Sequence, residues 1–403
     1  MTHLGRIGRR IGLVWALAAA APSWAPAADA FSRGNLRLLL GGEASGSAAV
    51  GDHGWFNETD YGRSVVHLAR FSVSAELRAG ERVALLSDFR SENLETPQVY
   101  ALFLRLRPWP LRSIDLQAGR IPPVFGAYPR RRYAAENPLI GEPLAYQYLT
   151  TLRTDSLPRT ADDLVSRRGE GWLVRYPVGS PYFAPGGPLV SATRWDTGVE
   201  LHVGSEPVEA GLALTQGTLC NPLTHDDNSG KQMSARVAVH PALGLVLGLS
   251  GAQGDYLARE ATSALPATLY GPFRQRAWGF DAEWSGGYWI LRAEAVWSDW
   301  DMPAIAAPYI RSPLRAAGAF LEGRYKVAPR LYVAARLDHL GMSEIQGSTE
   351  RVSWDAPVSR AEVGVGVSPR RNLWLKAAYQ HNWRDGGSVR SQGVGAAQIS
   401  WWF

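Results

Sequence analysis

The chain has 403 residues, of which 20% are charged and 46% hydrophobic, an ordinary folded-protein balance that excludes extensive disorder. Its formal net charge of +5 is too small to argue for nucleic acid as a partner, and its single cysteine, Cys220, excludes an internal disulfide. Gly reaches 42, Trp 16 and Tyr 15, and no apolar run after the N-terminal segment is long enough to cross a bilayer as a helix, so the composition points to a large all-β protein.

Residues 1–30 read as an export signal that is cleaved. Arg6, Arg9 and Arg10 precede an apolar stretch from Ile11 to Ala21; Pro22 and Pro26 break it, and Ala28-Asp29-Ala30 is a small-x-small cleavage site. Phe31 follows rather than Cys, which argues against a lipoprotein. Removing three Arg and one Asp leaves 39 basic and 36 acidic side chains, a net charge of +3 over residues 31–403. An exported chain of this length without disulfides needs another source of stability, which a closed ladder of backbone hydrogen bonds in a membrane supplies.

Strands follow in chain order. A first is expected at about 35–42. Val65, His67, Ala69, Phe71, Val73, Ala75 and Leu77 then share one face, and Arg70, Ser72, Ser74, Glu76 and Arg78 the other. A tight turn, Arg78-Ala79-Gly80-Glu81, leads into Val83, Leu85, Ser87 and Phe89. The same hairpin unit recurs at 98–107/113–119, 196–203/208–217, 232–240/244–252, 277–284/288–297, 318–327/331–340 and 359–367/373–382, and a last strand occupies 391–403. The turns inside the hairpins are short, and the connections between them, such as 218–230, 254–274, 298–315 and 341–357, are longer and polar. This alternation is the pattern of an antiparallel transmembrane β-barrel with short periplasmic turns and long extracellular loops. The count is 16 strands. Trp172–Tyr176 and Leu189–Ala192, inside the stretch 121–195, would raise it to 18; otherwise 121–195 is one very long loop.

Alternation by itself does not say whether the apolar face meets a core or lipid. The last strand does. Gly395, Ala397, Ile399, Trp401 and Phe403 fall at every second position up to the chain end, which resembles the recognition signal of bacterial outer-membrane barrels. The resemblance implies an outer-membrane location, with Ile399, Trp401 and Phe403 as the assembly signal read by the barrel-assembly machinery. Trp289 and Trp297 share a face of one strand; eight residues at about 3.4 Å, tilted by about 40°, span roughly 20 Å, the separation of two aromatic girdles. Tyr379 and Trp383 fit the outer girdle.

The segment Gly119-Arg120-Ile121-Pro122-Pro123-Val124-Phe125-Gly126 is similar to the strand-exit segment of porins of the phosphate-selective and general families. That resemblance implies that 121–168 folds into the barrel as a constriction loop, and that the protein passes small hydrophilic solutes by passive diffusion. Arg130, Arg131, Arg132, Glu136 and Arg153 of the loop are the candidate constriction residues. Fixed guanidinium charge there implies a modest anion preference. The family's ladder of lumen lysines is not recognisable, which puts phosphate selectivity in particular in doubt. On the inferred lumen face, Arg292, Arg324, Arg336, Glu322 and Asp338 are candidate pore-lining groups among a mixed set of charges that either sets a field across water or stiffens the wall as ion pairs.

No catalytic motif is present, no metal site or cofactor is expected, and His225-Asp226-Asp227 reads as a solvated loop. Two other functions fit the same pattern: an outer-membrane enzyme with an active site at the rim, and a structural or adhesive barrel plugged by 121–195. Outer-membrane lipid and lipopolysaccharide are expected partners, and porins of this size are often homotrimers.

Overall fold

The structure is a computed structural model that describes residues 28–403 except 60, 61, 110, 111, 206, 229 and 312. Most of the export segment therefore lies outside the described residues. Cleavage after Ala30 would remove the first three residues of the strand β1 (Ala28–Arg33).

The chain then runs through β2 (Leu36–Val50), β3 (Ala69–Ala79), β4 (Val83–Glu92), β5 (Gln98–Leu106) and β6 (Ile114–Ile121). A two-residue pair, β7 (Ser156–Leu157) and β8 (Val178–Gly179), sits in the long connection that follows. Next come β9 (Asp196–Ser205), β10 (Val208–Thr215), β11 (Gln232–Ala242), β12 (Leu245–Asp255), β13 (Arg274–Gly286), β14 (Trp289–Trp300), β15 (Leu314–Ala328) and β16 (Leu331–Met342). A small outer-loop hairpin, β17 (Glu344–Gln346) and β18 (Arg351–Ser353), precedes β19 (Val358–Val367), β20 (Leu373–Arg384) and β21 (Ser391–Trp402).

Apart from the two small hairpins, every strand pairs antiparallel with its sequence neighbours, and β21 pairs with β2 to close the ring. Seventeen strands share this sheet, yet the barrel has 16 positions, because β1 and β21 occupy one position end to end. β21 pairs with Glu43–Val50 of β2, the Phe403 backbone exchanges hydrogen bonds with Gly42, and β1 continues along Leu36–Leu40. Closure through β21 and β2 joins the two edges of the wall, the condition for a sheet to lie in hydrocarbon, and β1 is paired with β2 alone.

The strands form where the alternation predicts them, with three corrections. The second hairpin begins at Ala69, not at Val65: residues 64–68 turn back over β2, where the Ser47 hydroxyl donates to Val65 O at 2.9 Å and accepts from Leu68 N at 3.1 Å. The 18-strand alternative fails. Trp172–Tyr176 makes only an isolated bridge, Val174 to Ala184, and Leu189, Val190 and Ala192 are buried in the large apolar cluster without joining the sheet. Arg82, which the alternation of Val83, Leu85, Ser87 and Phe89 would set on the opposite, lumen face, lies in the turn before β4 and is exposed.

The apolar face points outward. On β14, Trp297 is 52% exposed while its inward neighbour Val296 is 1% exposed, and Ile399, Trp401 and Phe403 are exposed beside buried Ser400. Trp278 pairs across strands with Trp297, and Trp289 with Tyr325, so aromatics cluster at two heights on the outer face. Tyr379 and Trp383 also face outward. Turns occupy one end of the barrel, among them 80–82, 243–244, 287–288 and 329–330; the connections 51–68, 122–195, 216–231, 256–273, 301–313 and 343–357 occupy the other. An outward apolar band between aromatic girdles on a closed sheet makes this an outer-membrane β-barrel.

Candidate pore constriction

Much of the connection 122–195 packs against inward-facing side chains of the wall, and charged groups of the wall hold its backbone, while Leu173, Tyr182 and Phe183 stay exposed. The entry depends on Gly126, whose φ is +64° and whose N–H donates to Ser250 Oγ at 3.0 Å. A Cβ there would sit 2.0 Å from Tyr146 Oη and 2.2 Å from Glu294 Oε1, so only glycine fits. The Glu294 carboxylate accepts from Ala127 N at 3.2 Å, from Tyr128 N at 3.3 Å and from the Tyr146 hydroxyl.

The next stretch is held by six further side chains of the wall. Glu43 accepts from Ala134 N at 3.2 Å and Ala135 N at 3.0 Å. Lys376 donates to the carbonyls of Ala134, Asn137 and Leu139, and Tyr332 Oη donates to Pro138 O at 2.9 Å. Glu362 accepts from Gly141 N at 2.9 Å, while Arg336 donates to Gly141 O at 2.8 Å and Arg360 to Glu142 O at 3.0 Å. A loop inside a barrel carries backbone donors and acceptors that strand pairing cannot satisfy, and these wall side chains satisfy them. Nearer the loop end, Asp355 accepts from Thr151 N and Gly169 N, both at 2.8 Å; burial pushes this carboxyl above its ordinary pKa.

The candidate residues fall into three groups. Arg131, Arg292, Glu322, Arg336 and Asp338 come together in one chain of ion pairs: Arg131 to Glu283 at 2.9 Å, Glu283 to Arg292 at 2.8 Å, Arg292 to Glu322 at 3.2 Å, and Arg336 to Glu322 at 3.3 Å, Asp338 at 3.0 Å and Glu362 at 2.7 Å. Arg131, Glu283 and Arg292 at one end of this chain remain half-buried, whereas Arg336, Glu322 and Asp338 are buried. Arg130 and Glu136 are also half-buried, and Arg324 sits with its guanidinium 5.6 Å from the Tyr332 ring.

Arg132 and Arg153 do not face water. Arg132 is buried against the opposite wall, bonded to Tyr100 Oη at 2.7 Å and Ala192 O at 2.6 Å. Arg153 belongs to the loop's own framework: it pairs with Asp155 at 2.8 Å and donates to Val174 O and Tyr182 O, both at 2.6 Å. Sequence reasoning missed Glu43, Lys376, Tyr332, Arg360, Glu362, Glu294 and Asp355 as anchors. Most carried one signal, an inward polar position on an alternating strand, which a group facing water would carry equally.

Two media meet at the loop. Toward the turns, charged side chains stay partly water-accessible, including Arg105 with Glu76 at 3.0 Å, Arg107 with Asp115 at 2.7 Å, and His240 with Glu209 at 3.3 Å. Toward the outer loops, the interior fills with an apolar cluster. Tyr148, Leu152, Leu157, Val174 and Leu189 of the inward loop pack there with Trp300 and Trp354 of the wall and an outer loop. His225-Asp226-Asp227 lies apart in an outer loop, with Asp226 paired to Lys231, and no group of three or more His, Cys, Asp or Glu positioned to hold a metal occurs among the described residues.

Solved structures match this architecture along nearly its whole length. A barrel described as OmpT, an outer membrane protein of Vibrio cholerae, superposes with a TM-score of 0.56 at 10% identity, covering 93% of this chain and 100% of that one. An anion-selective porin from Comamonas acidovorans gives 0.56 at 10%, covering 91% and 100%. The outer membrane channel DcaP of Acinetobacter baumannii gives 0.56 at 11%, covering 93% and 100%. The fold is that of the outer-membrane porins. No family model and no curated protein matches the sequence, and the likeness is one of fold. Within that fold, the 16 strands and their closure are common ground, while the anchors of the inward loop are read from this chain alone.

Proposed function

We propose that this barrel is an outer-membrane porin that passes small hydrophilic solutes by passive diffusion, with a modest preference for anions, along a path narrowed by residues 122–195. One observation carries the reading. The reading is supported by Arg130 and Arg131 of the inward loop, both half-buried, and by Arg324 of the wall, which lie near the turn-end group in which Arg105, Arg107 and Arg292 are each matched by a carboxylate. Guanidinium groups keep their charge at any physiological pH, and a chamber edged by them favours anions over cations. The neighbour described as an anion-selective porin supports this at the level of fold analogy only.

A second reading has its own support. The apolar cluster above the loop fills the barrel toward the outer loops, as a plug in a structural or adhesive barrel would. Purified protein in planar bilayers separates the two. Discrete conductance steps, with a reversal potential shifted toward the anion equilibrium value in a salt gradient, are expected of the porin. Absence of steps in folded protein favours the plugged barrel. A homotrimer fits the porin reading and has a counterpart in the Vibrio cholerae barrel described in trimer form.

A further inference from the structure

At the loop end, the connections 216–231 and 256–273 border a cavity of about 440 Å³. That volume falls within the roughly 300–1,000 Å³ of small-molecule sites. Asn228 ties the two connections together: its Nδ2 donates to Asp255 O at 3.2 Å and to Leu257 O at 2.9 Å, and its Oδ1 accepts from Gly230 N at 3.0 Å. Gly230 permits the close approach, since a Cβ there would lie 2.5 Å from Asp255 Cβ. These bonds hold the lining in place without a ligand.

The lining is of two kinds. Tyr270 presents an exposed ring, and Phe273, packed against the apolar cluster, and buried Leu257 add to that surface. The rest carries oxygen: the Asp255 carboxylate and the hydroxyls of Thr262 and Ser263, at the end of the short helix Arg259–Ser263. Thr262 Oγ1 donates to Ala258 O at 3.3 Å and Ser263 Oγ to Glu260 O at 3.2 Å, so both hydroxyl protons are committed and both oxygens remain acceptors. Arg274 Nε lies 3.5 Å from Asp255 Oδ1, which matches the charge of the carboxylate and leaves its lone pairs open. The Tyr270 hydroxyl has no hydrogen-bond partner among the described residues.

We propose that this cavity binds a neutral sugar, a pyranose ring lying with its C–H face on Tyr270 and its hydroxyls donating to Asp255, Thr262 and Ser263. The chemistry selects the ligand. A pyranose is amphipathic, with an apolar face and a rim of hydroxyl donors, and the lining offers an aromatic surface beside a set of acceptors. Arg274 neutralises the attraction that a lone carboxylate would exert on a cation. An anion would meet Asp255 and two hydroxyl oxygens whose protons point elsewhere. A wholly apolar molecule would strip water from these acceptors and give nothing back. A role in gathering solute at the entrance rests on the porin reading; the binding itself does not, and the two fail separately.

The test is saturation-transfer NMR on the full-length folded barrel in a sugar-free detergent. Glucose, galactose and maltose are the neutral probes, and glucosamine and glucose 6-phosphate their charged counterparts. The parent should transfer saturation to a neutral sugar, most strongly at its ring C–H protons. Tyr270→Ala removes the stacking surface, and Asp255→Asn exchanges an ionised acceptor for an amide; each should weaken binding about tenfold. Tyr270→Phe should keep most of the binding. Tyr182→Ala, at another exposed tyrosine of the connections, should keep all of it. Equal transfer by parent and Tyr270→Ala overturns the proposal, as does the absence of transfer to all three neutral sugars. Tighter binding of glucosamine or glucose 6-phosphate than of glucose also overturns it, since the cavity would then be a site for charge.

Discussion

Lys376 offers the most direct perturbation of the inward loop. Its ammonium group is buried and donates to the carbonyls of Ala134, Asn137 and Leu139, and to Gln398 Oε1 at 3.1 Å. Replacement by Met keeps the side-chain length and removes every donor. An acceptor left unsatisfied in the interior costs about 1–3 kcal/mol, and three carbonyls lose their donor, although water from the turn-end chamber can reach part of the vacated site. A net loss of about 3 kcal/mol is a reasonable centre, or a factor on the order of 100 in the ratio of docked to released loop. The amides of Ala134, Ala135, Ile140 and Gly141 report that ratio directly, because Glu43 and Glu362 hold their protons. Hydrogen–deuterium exchange of folded Lys376→Met barrel should therefore show a loss of protection on the order of 100-fold confined to residues 133–142, with strand amides unchanged. In planar bilayers the same variant should conduct more than the parent. Unchanged exchange across 133–142 would refute the anchoring argument. Equal acceleration in the strands would also refute it, since Lys376 would then be supporting the wall and not the loop.

Further outcomes follow from the same geometry. Arg131→Gln removes a half-buried cation from the chamber and should lower anion preference, read as a smaller reversal potential in a salt gradient; Arg132→Gln should instead loosen the loop against Tyr100 and Ala192, seen as faster exchange there with selectivity little changed. Gly126→Ala forces a left-handed backbone and a clash with Tyr146 and Glu294, and should destabilise loop docking by at least about 1–3 kcal/mol, measured as accelerated exchange over 122–147. Glu58, in the outer loop 51–68, has its pKa pushed up to about 7 by burial and by the neighbouring Asp52. Because the folded value lies above the unfolded one, the folded loop holds the proton between about pH 4.5 and 7. Its stability should fall as pH rises through that window, as exchange of 51–68 at pH 5 and pH 8 would reveal, and Glu58→Gln should flatten the profile. Phe403 pairs with Gly42 through its backbone and lays its ring where a Cβ of residue 42 would be 2.6 Å away; Phe403→Ala should lower the yield of closed barrel, scored as the heat-modifiable fraction on a gel.

The site was less legible than the fold, and the loop anchors show why. Glu362 and Lys376 read in the sequence as polar members of alternating strands, and so they are. Whether such a group faces water or holds a backbone N–H (Glu362) or carbonyl (Lys376) depends on a segment more than 200 residues away in the chain, and no local pattern encodes that partner. Arg132 and Arg131 are adjacent and identical in type, yet one is locked between Tyr100 and Ala192 while the other reaches the chamber through Glu283. Val65 misled for a related reason: its apolar character serves packing against Ile140 and Val394, not membership of a strand.

By itself the sequence determined the strands, the turns and the outward face, including the final row Ile399, Trp401 and Phe403. Side-chain direction reverses at each strand residue, and lipid on one side imposes the alternation locally. The tertiary structure alone decided three matters: that β1 and β21 share one position in the ring, that 122–195 enters the barrel without adding strands, and that many of the lumen charges are spent on its backbone. Each depends on hydrogen bonds between groups far apart in the chain. Those bonds exist only once the barrel has closed and excluded enough water for unpaired backbone groups to require them.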